Sequence, residues 1–481
     1  MIQTSLTTYL RTLALFLFFL AILTYYRRFP TGDDAWFAEQ SYWLWHEGKV
    51  RSEFFRGLLG WENQYLVSHK LFIAVGAILT GLFPESLYAV KLSGLLFFIL
   101  LILLMTKIIY HQYSSSPNRS FIIPLMYVLL FSNALMVQMS FENRPEMMIT
   151  SFGFGSFYFI HRNSSNKNFA FFSGFFAGLS LLSHLNGIIF IIAGGITYLY
   201  KKKCTNLVLF CLSAFLTSSL YFYDIISTSN VVETWWFQFS HDPATQNALG
   251  LWSKLKVVIE FPKLFVESPE QQAITFLFIT TNIWLKKNWH SLNSITSIYL
   301  ISLILSFWLI TKRASGIYEI MFIPFLIIYI LELLNTSSTN MKVPLYVKIV
   351  SFFYITVGFV GSVQTIHKNY SDYLPDKYRA LRLVLPSKGK GLVPITFYFN
   401  EYKYFNSLLS HTNFDLQKSN LLKNKEASAN DFFQWARNNK VHFILIDYQS
   451  ESASFYPIKG IKTVKEYHLS FFDGRFAIYS I

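Results

Sequence analysis

Uncharged apolar runs recur along this 481-residue chain and constrain it more than any other feature. Residues 13–24, 95–105 and 298–310 contain no charged side chain at all. About 20 consecutive apolar residues cross a bilayer core, and this chain offers many stretches of that kind. Charged residues make up only 14% of the chain, where soluble domains carry roughly a quarter, and 53% is hydrophobic. A soluble enzyme, a disordered chain and a coiled coil are therefore excluded. The formal charge of +14 is scattered rather than gathered on one basic face, which argues against a nucleic-acid binder. The reading is an α-helical polytopic membrane protein.

Eleven stretches are candidate spans: 7–26, 87–110, 120–138, 145–160, 168–182, 187–200, 205–224, 271–285, 293–310, 316–334 and 344–365. No small-residue cleavage motif precedes Arg27, so the first reads as a retained helix. Short loops rich in Lys and Arg stay in the cytoplasm. Lys107 and Arg119, Arg162 and Lys167, Lys201 to Lys203, Lys286 and Lys287, and Lys342 and Lys348 fall on one common side. The outer side then receives 27–86, the turns 139–144 and 183–186, the loop 225–270, the turn 311–315 and the tail. This holds only if residues 65–83, which open with His69 and Lys70, lie flat at the interface rather than cross it. Cys204 and Cys211, seven apart at the start of an apolar run, suit neither a disulfide framework nor a metal cage and read as packed side chains. Gly174 and Gly178 have the spacing that lets two helices approach closely.

The chain divides into a transmembrane part, 1–365, and a tail, 366–481, rich in Lys, Asn, Ser and Asp. Strand-like runs at 395–398, 441–447 and 476–481 predict a small extracytoplasmic α/β domain. A helix is expected to follow an N-cap at Asn430 or Asp431, and Asp473-Gly474 predicts a hairpin turn.

Polar residues collect on the outer side. Loop 27–64 carries Asp33 and Asp34 after Pro30-Thr31-Gly32, at the start of a helical stretch, where one of the two acids is open to a capping role. Four tryptophans, Trp36, Trp43, Trp45 and Trp61, place this loop on the membrane surface. Glu142-Asn143-Arg144-Pro145-Glu146 forms a second cluster. Arg144, Lys312 and Arg313 run against the positive-inside pattern, which suits cations that meet an anion, although Arg144 could equally pair with Glu142 or Glu146. His184, Asn186 and Tyr318 stand at further outer helix ends.

The segment from Thr31 through Glu39 to Gly48 resembles the acidic first loop of the GT-C membrane glycosyltransferases. The closest branch is the protein O-mannosyltransferase and lipid A aminoarabinose transferase group, glycosyltransferase families 39 and 83. The likeness continues through His69-Lys70-Leu71, Lys91 to Gly94, Arg144-Pro145-Glu146, Gly178 to Gly187 and Tyr318 to Pro324. It departs where the family has Lys-Pro-Pro before the surface helix, and where the second acid of its Asp-Glu pair is Asp34 here. The resemblance implies about eleven transmembrane helices with outer juxtamembrane helices. It also implies a polyprenyl-phosphate sugar donor, such as an undecaprenyl-phosphate sugar, and a glycan, lipid or protein acceptor. Asp33 would be the general base, with Asp34 beside it as a second catalytic acid. Lys70, Arg144, Lys312 and Arg313 would hold the donor phosphate, and Glu146, His184, Asn186 and Tyr318 the substrates. A divalent metal between the acids stays open, with no ligand spacing that requires one. The location implied is a bacterial inner membrane, with the site and tail facing outward. A transporter or flippase of a lipid-linked sugar is the alternative, although no internal repeat is visible.

Overall fold

The computed structural model describes residues 2–83, 86–113, 118–225, 229–242, 251–311, 315–335, 343–386, 388–401, 407–422, 426–449 and 454–481. Each of the eleven apolar stretches is helical. In chain order the helices are α1 (Ile2–Tyr25), α2 (Gly32–Glu47), α3 (Lys70–Leu82), α4 (Leu87–Gln112), α5 (Arg119–Phe131), α6 (Ala134–Met139), α7 (Glu146–Asn163), α8 (Lys167–Ser183), α9 (Ile188–Tyr200) and α10 (Cys204–Ser218). They continue with α11 (Ser229–His241), α12 (Leu251–Glu260), α13 (Pro269–Trp284), α14 (Ser294–Ile310), α15 (Ile323–Asn335) and α16 (Leu345–Ser371).

Among the described residues, four helical segments are long and apolar enough to cross a membrane: Leu6–Tyr25, Leu87–Gln112, Cys204–Phe222 and Leu345–Leu381. Shorter apolar helices, among them Arg119–Phe131, Ser294–Ile310 and Ile323–Asn335, stand beside them. Eleven stretches are thus helical, but among the described residues only four have full spanning length, so the expected count of about eleven is not established. Helix α3 has 13 residues, about 20 Å at 1.5 Å per residue, too short to cross a hydrocarbon core of about 30 Å. The stretch 120–138 is broken: α5 stops at Phe131, and Asn133 restarts the chain as α6 by accepting the Met136 N–H.

Helix α8 lies against α7 and α10, and α4 against α7. A Cβ at Gly174 would collide with the Phe210 carbonyl and one at Gly178 with Thr217 and the Ala214 carbonyl, so both glycines set the α8–α10 approach. Cys204 and Cys211 are exposed on the outward stripe of α10 with Val208, Leu212 and Phe215, not packed inside as expected. A stripe of that kind gains more from lipid than from the bundle.

In the tail, α17 (Leu374–Leu381), α18 (Tyr398–Glu401), α19 (His411–Leu421) and α20 (Ala429–Asn438) flank a six-stranded sheet. Its strands are β1 (Gly391–Val393), β2 (Leu408–Ser410), β3 (Phe443–Asp447), β4 (Thr463–Val464), β5 (Tyr467–Phe472) and β6 (Phe476–Ser480), in spatial order β2-β1-β3-β6-β5-β4. β1 is parallel to β2 and β3, and the rest of the sheet is antiparallel. Gly474 turns the β5–β6 hairpin in a left-handed conformation, as the Asp-Gly pair predicts. Two expectations are corrected. Residues 395–398 form a helical turn running into α18, because Pro394 removes an N–H that a strand would need. The N-cap of α20 is Ser428, with Asp431 closing a capping box three residues on.

The tail has a core of its own, with Leu392, Phe414, Phe432, Phe433, Ile444, Tyr467 and Tyr479 buried together, and it shares a second one. Phe37, Phe54, Phe55, Trp61, Tyr378, Phe397, Tyr398, Phe443, Phe476 and Ile478 belong to one buried cluster that joins α2 and the loop after it to the sheet. Ser410 N donates to the Phe54 carbonyl (3.1 Å), and Asn413 Nδ2 to that of Arg56 (2.9 Å).

A candidate active site on the second helix

Thr31 ends the extended segment after Pro30 and caps α2. Its hydroxyl accepts from Asp34 N (3.2 Å), and its own N–H donates to Asp34 Oδ2 (2.7 Å). Asp34 is therefore the capping acid of the pair. It is fully buried, with Lys91 Nζ 2.6 Å from Oδ2 and Asn143 N donating to Oδ1 (2.7 Å). Asp34 thereby ties α2 to α4 and to the turn before α7. Behind it, Gln138 Nε2 donates to Glu142 (2.9 Å) and Arg28 stands 3.9 Å from the same carboxylate. Arg28, Asp34, Lys91 and Glu142 make a buried group of two cations and two acids. Burial, with Asp34 nearby, pushes the Glu142 carboxyl up, against the pull of Lys91 and Arg28.

Asp33 points the other way. Its side chain is 39% exposed and is ion-paired with Arg144, which lies in the turn before α7. Arg144 also grips Glu146 with two bonds, Nε–Oε2 at 3.1 Å and Nη2–Oε1 at 2.7 Å, so one guanidinium bridges two carboxylates. Burial raises the Asp33 carboxyl above its ordinary range; Arg144 opposes this, while Glu146 and Asp34 add to it. Next to this trio, the His184 ring stacks on His69 at 4.3 Å, and His69 leans on Phe37 of α2 at 5.3 Å. Burial lowers both imidazoles, with Arg144 adding its repulsion, His184 to about 4 and His69 well below its usual value. Both rings are neutral at pH 7, each able to donate and accept a hydrogen bond.

No family model matches the sequence, and no curated protein matches it. Solved structures do. ArnT from Cupriavidus metallidurans bound to undecaprenyl phosphate superposes with a TM-score of 0.64 at 12% identity, over 98% of this chain and 98% of that one. The apo oligosaccharyltransferase from Archaeoglobus fulgidus gives 0.54 at 11% identity, over 93% of this chain and 70% of that one. The chain has the GT-C fold. At such identities the likeness is one of fold.

Within this GT-C fold the remaining expected residues divide. Lys70 is buried and paired with Asp224 at 2.6 Å, its ammonium 5.6 Å from the centre of the Tyr221 ring. It reaches the Asp33 group only through its neighbour His69. Asn186 donates its backbone N–H to His184 Nδ1 (2.9 Å) and so fixes that imidazole's tautomer. Tyr318 packs on Phe307 at 5.7 Å and does not join the Asp33 group. Lys312 and Arg313 lie outside the described residues. Asp34 does not serve as a second open acid, since its oxygens already accept from Thr31, Lys91 and Asn143. That arrangement also fails to suit a metal held between the acids, and among the described residues no three His, Cys, Asp or Glu side chains converge as a metal site needs.

Two side chains central to this geometry were not among the expected site residues. Lys91 carried a signal, a lysine near the start of a long apolar helix, which needs a buried partner. Asp224 carried another: it is the single acid between Glu146 and Glu233.

Proposed function

We propose that this protein is a membrane glycosyltransferase. It moves a sugar from a polyprenyl-phosphate carrier to an acceptor hydroxyl at the outer membrane boundary, with inversion. The observation that carries this reading is the split between the two acids: Asp34 is locked into the scaffold, while Asp33 is half-open and shares Arg144 with Glu146. Asp33 takes the proton of the acceptor hydroxyl as that oxygen attacks the anomeric carbon. The bond from that carbon to the phosphate oxygen breaks, and the electron pair leaves with the lipid phosphate. A single displacement inverts the anomeric centre. The leaving phosphate is already acidic, so it needs cations rather than an acid; Arg144 and Lys70 supply them, joined by Lys312 and Arg313. Neutral His184, backed by Asn186 and Glu146, faces sugar hydroxyls. An apolar groove of about 510 Å³, lined in part by Tyr221, Phe222 and Trp235, opens beside Lys70 and suits a prenyl tail. The likeness to ArnT bound to undecaprenyl phosphate supports a donor of this class. The clustering of ionisable groups at helix ends, rather than along a path through the bundle, favours an enzyme over a flippase.

The test compares the mass profile of envelope glycans and lipid-linked sugars in cells with the protein, without it, and with Asp33→Asn. Loss of the protein should make a polyprenyl-phosphate sugar accumulate and one decoration disappear. Asp33→Asn, inserted at normal levels, should lower transfer about 10²–10⁴-fold. Unchanged transfer in that variant would remove Asp33 from the role of base.

A further inference from the structure

Lys70 lies behind Tyr221 of the groove, with a side chain only 3% exposed, and it is already matched by Asp224. The pair sits where the polar and apolar halves of the site meet. Tyr221, which lines the groove, is 5.6 Å from Lys70 Nζ, and Tyr223 is 6.0 Å away. On the other side His69, the preceding residue in the chain, stacks on His184. Asp224 is the more open partner, 14% exposed, and stands beyond the helical turn that continues α10, just outside the apolar segment.

From this geometry, and resting on the reading of the donor given above, we propose that Asp224 is a resident anion on Lys70 that the lipid phosphate displaces and that returns when the lipid phosphate leaves. A buried ammonium needs a counter-charge at every stage, and Asp224 supplies one whenever no phosphate is bound. A phosphate arriving at Lys70 meets the Asp224 carboxylate already 2.6 Å from that ammonium, and repulsion between the two anions drives off the more exposed carboxylate. Displacement lowers the apparent affinity for every phosphate by the fraction of time that Lys70 is free. That cost falls on both ends of the reaction. A phosphodiester donor carries one negative charge, whereas the phosphomonoester left after transfer carries about −1.5 to −2 at pH 7. Lys70 therefore holds the spent carrier more tightly than the loaded one. Asp224 lowers both affinities by the same factor and so sets the rate at which the more tightly held spent carrier leaves. It is a positioning residue, not a catalytic one.

The experiment measures binding of undecaprenyl phosphate to the full-length detergent-purified protein, in the wild type, Asp224→Asn, Lys70→Gln and the double variant. Asp224→Asn should bind roughly tenfold tighter, and in a transfer assay undecaprenyl phosphate should become a correspondingly stronger product inhibitor. Lys70→Gln should bind weakly, and adding Asp224→Asn to it should give no gain, because the competition acts only through Lys70. A gain of equal size in the Lys70→Gln background would mean a diffuse charge effect and would overturn the proposal. So would equal or weaker binding by Asp224→Asn with an unchanged melting temperature, which would make Asp224 a mere support for Lys70. Asp224→Ala, which cannot hold Lys70 by a hydrogen bond, separates these cases: tighter binding means competition and weaker binding means support. Failure of the wild type itself to bind undecaprenyl phosphate would instead sink the functional reading, and this inference with it.

Discussion

At the scale of single residues, two neighbouring aspartates have opposite duties, and their substitutions should separate cleanly. Asp34→Asn leaves the Lys91 ammonium buried without its counter-charge, which should cost about 3–5 kcal/mol. Asp34→Asn combined with Lys91→Met should recover most of that, as followed by thermal unfolding in detergent. Asp33→Asn, by contrast, should leave the melting temperature close to that of the wild type. The imidazoles add a pH dependence of known sign. His184 is held at about 4 in the folded protein against 6.5 when unfolded, so the unfolded chain binds more protons between those values. Stability should be full above pH 6.5 and fall as the pH drops toward 4. His184→Asn should flatten that slope, and a slope unchanged in the variant would assign it to other groups. Glu39, raised to about 7 by burial, contributes in the opposite sense, favouring the fold as the pH falls from 7 toward 4.5.

Elements are tied together by a few buried contacts that a substitution can sever. Glu39 of α2 accepts from Ser52 Oγ (2.5 Å), Glu53 N (2.6 Å), Phe54 N (3.0 Å) and Trp43 Nε1 (3.3 Å), so one carboxylate pins the following loop to the helix. Glu39→Ala should speed hydrogen exchange at the Glu53 and Phe54 amides well before the transmembrane helices loosen; uniform exchange across the chain would contradict this. Gly174→Val should force α8 away from α10 and reduce the yield of folded protein, whereas Gly195→Ala, whose Cβ would meet Leu207 at an ordinary contact distance of 3.8 Å, should not. The elements themselves were largely readable in the sequence, since long apolar runs and the Asp-Gly turn have one physical outcome each. Residues 395–398 were misread because a short apolar run suits a strand and a buried helical turn equally, and Pro394 decides between them only in context. Cys204 and Cys211 were misplaced for a related reason: an apolar face tells nothing of whether lipid or protein covers it.

Across the whole molecule, the meeting of Arg144 with Asp33 and Glu146 was legible in the sequence, because a basic residue that breaks the loop-charge pattern needs an anion. The pairings Asp34–Lys91 and Lys70–Asp224 were not, since partners 57 and 154 residues apart leave no trace in local spacing. Sidedness has its own check. In a Cys204→Ser/Cys211→Ser background, Asn63→Cys and Asp473→Cys should react with an impermeant thiol reagent from outside intact cells, and Lys202→Cys only after lysis. Asn63 and Asp473 labelled from opposite sides would break the proposed arrangement of loop and tail.

The buried cluster that joins α2 to Phe476 and Ile478 of β6 has a consequence for how the molecule is made. Asp33 leaves the ribosome more than 400 residues before β6, yet the floor beneath its helix is finished by that strand. A nascent protein whose helices are all in place still lacks that floor until the β5–β6 hairpin has closed against it. The membrane half should therefore be no minimal catalyst, and trimming the last dozen residues should silence chemistry that lies more than 400 positions upstream.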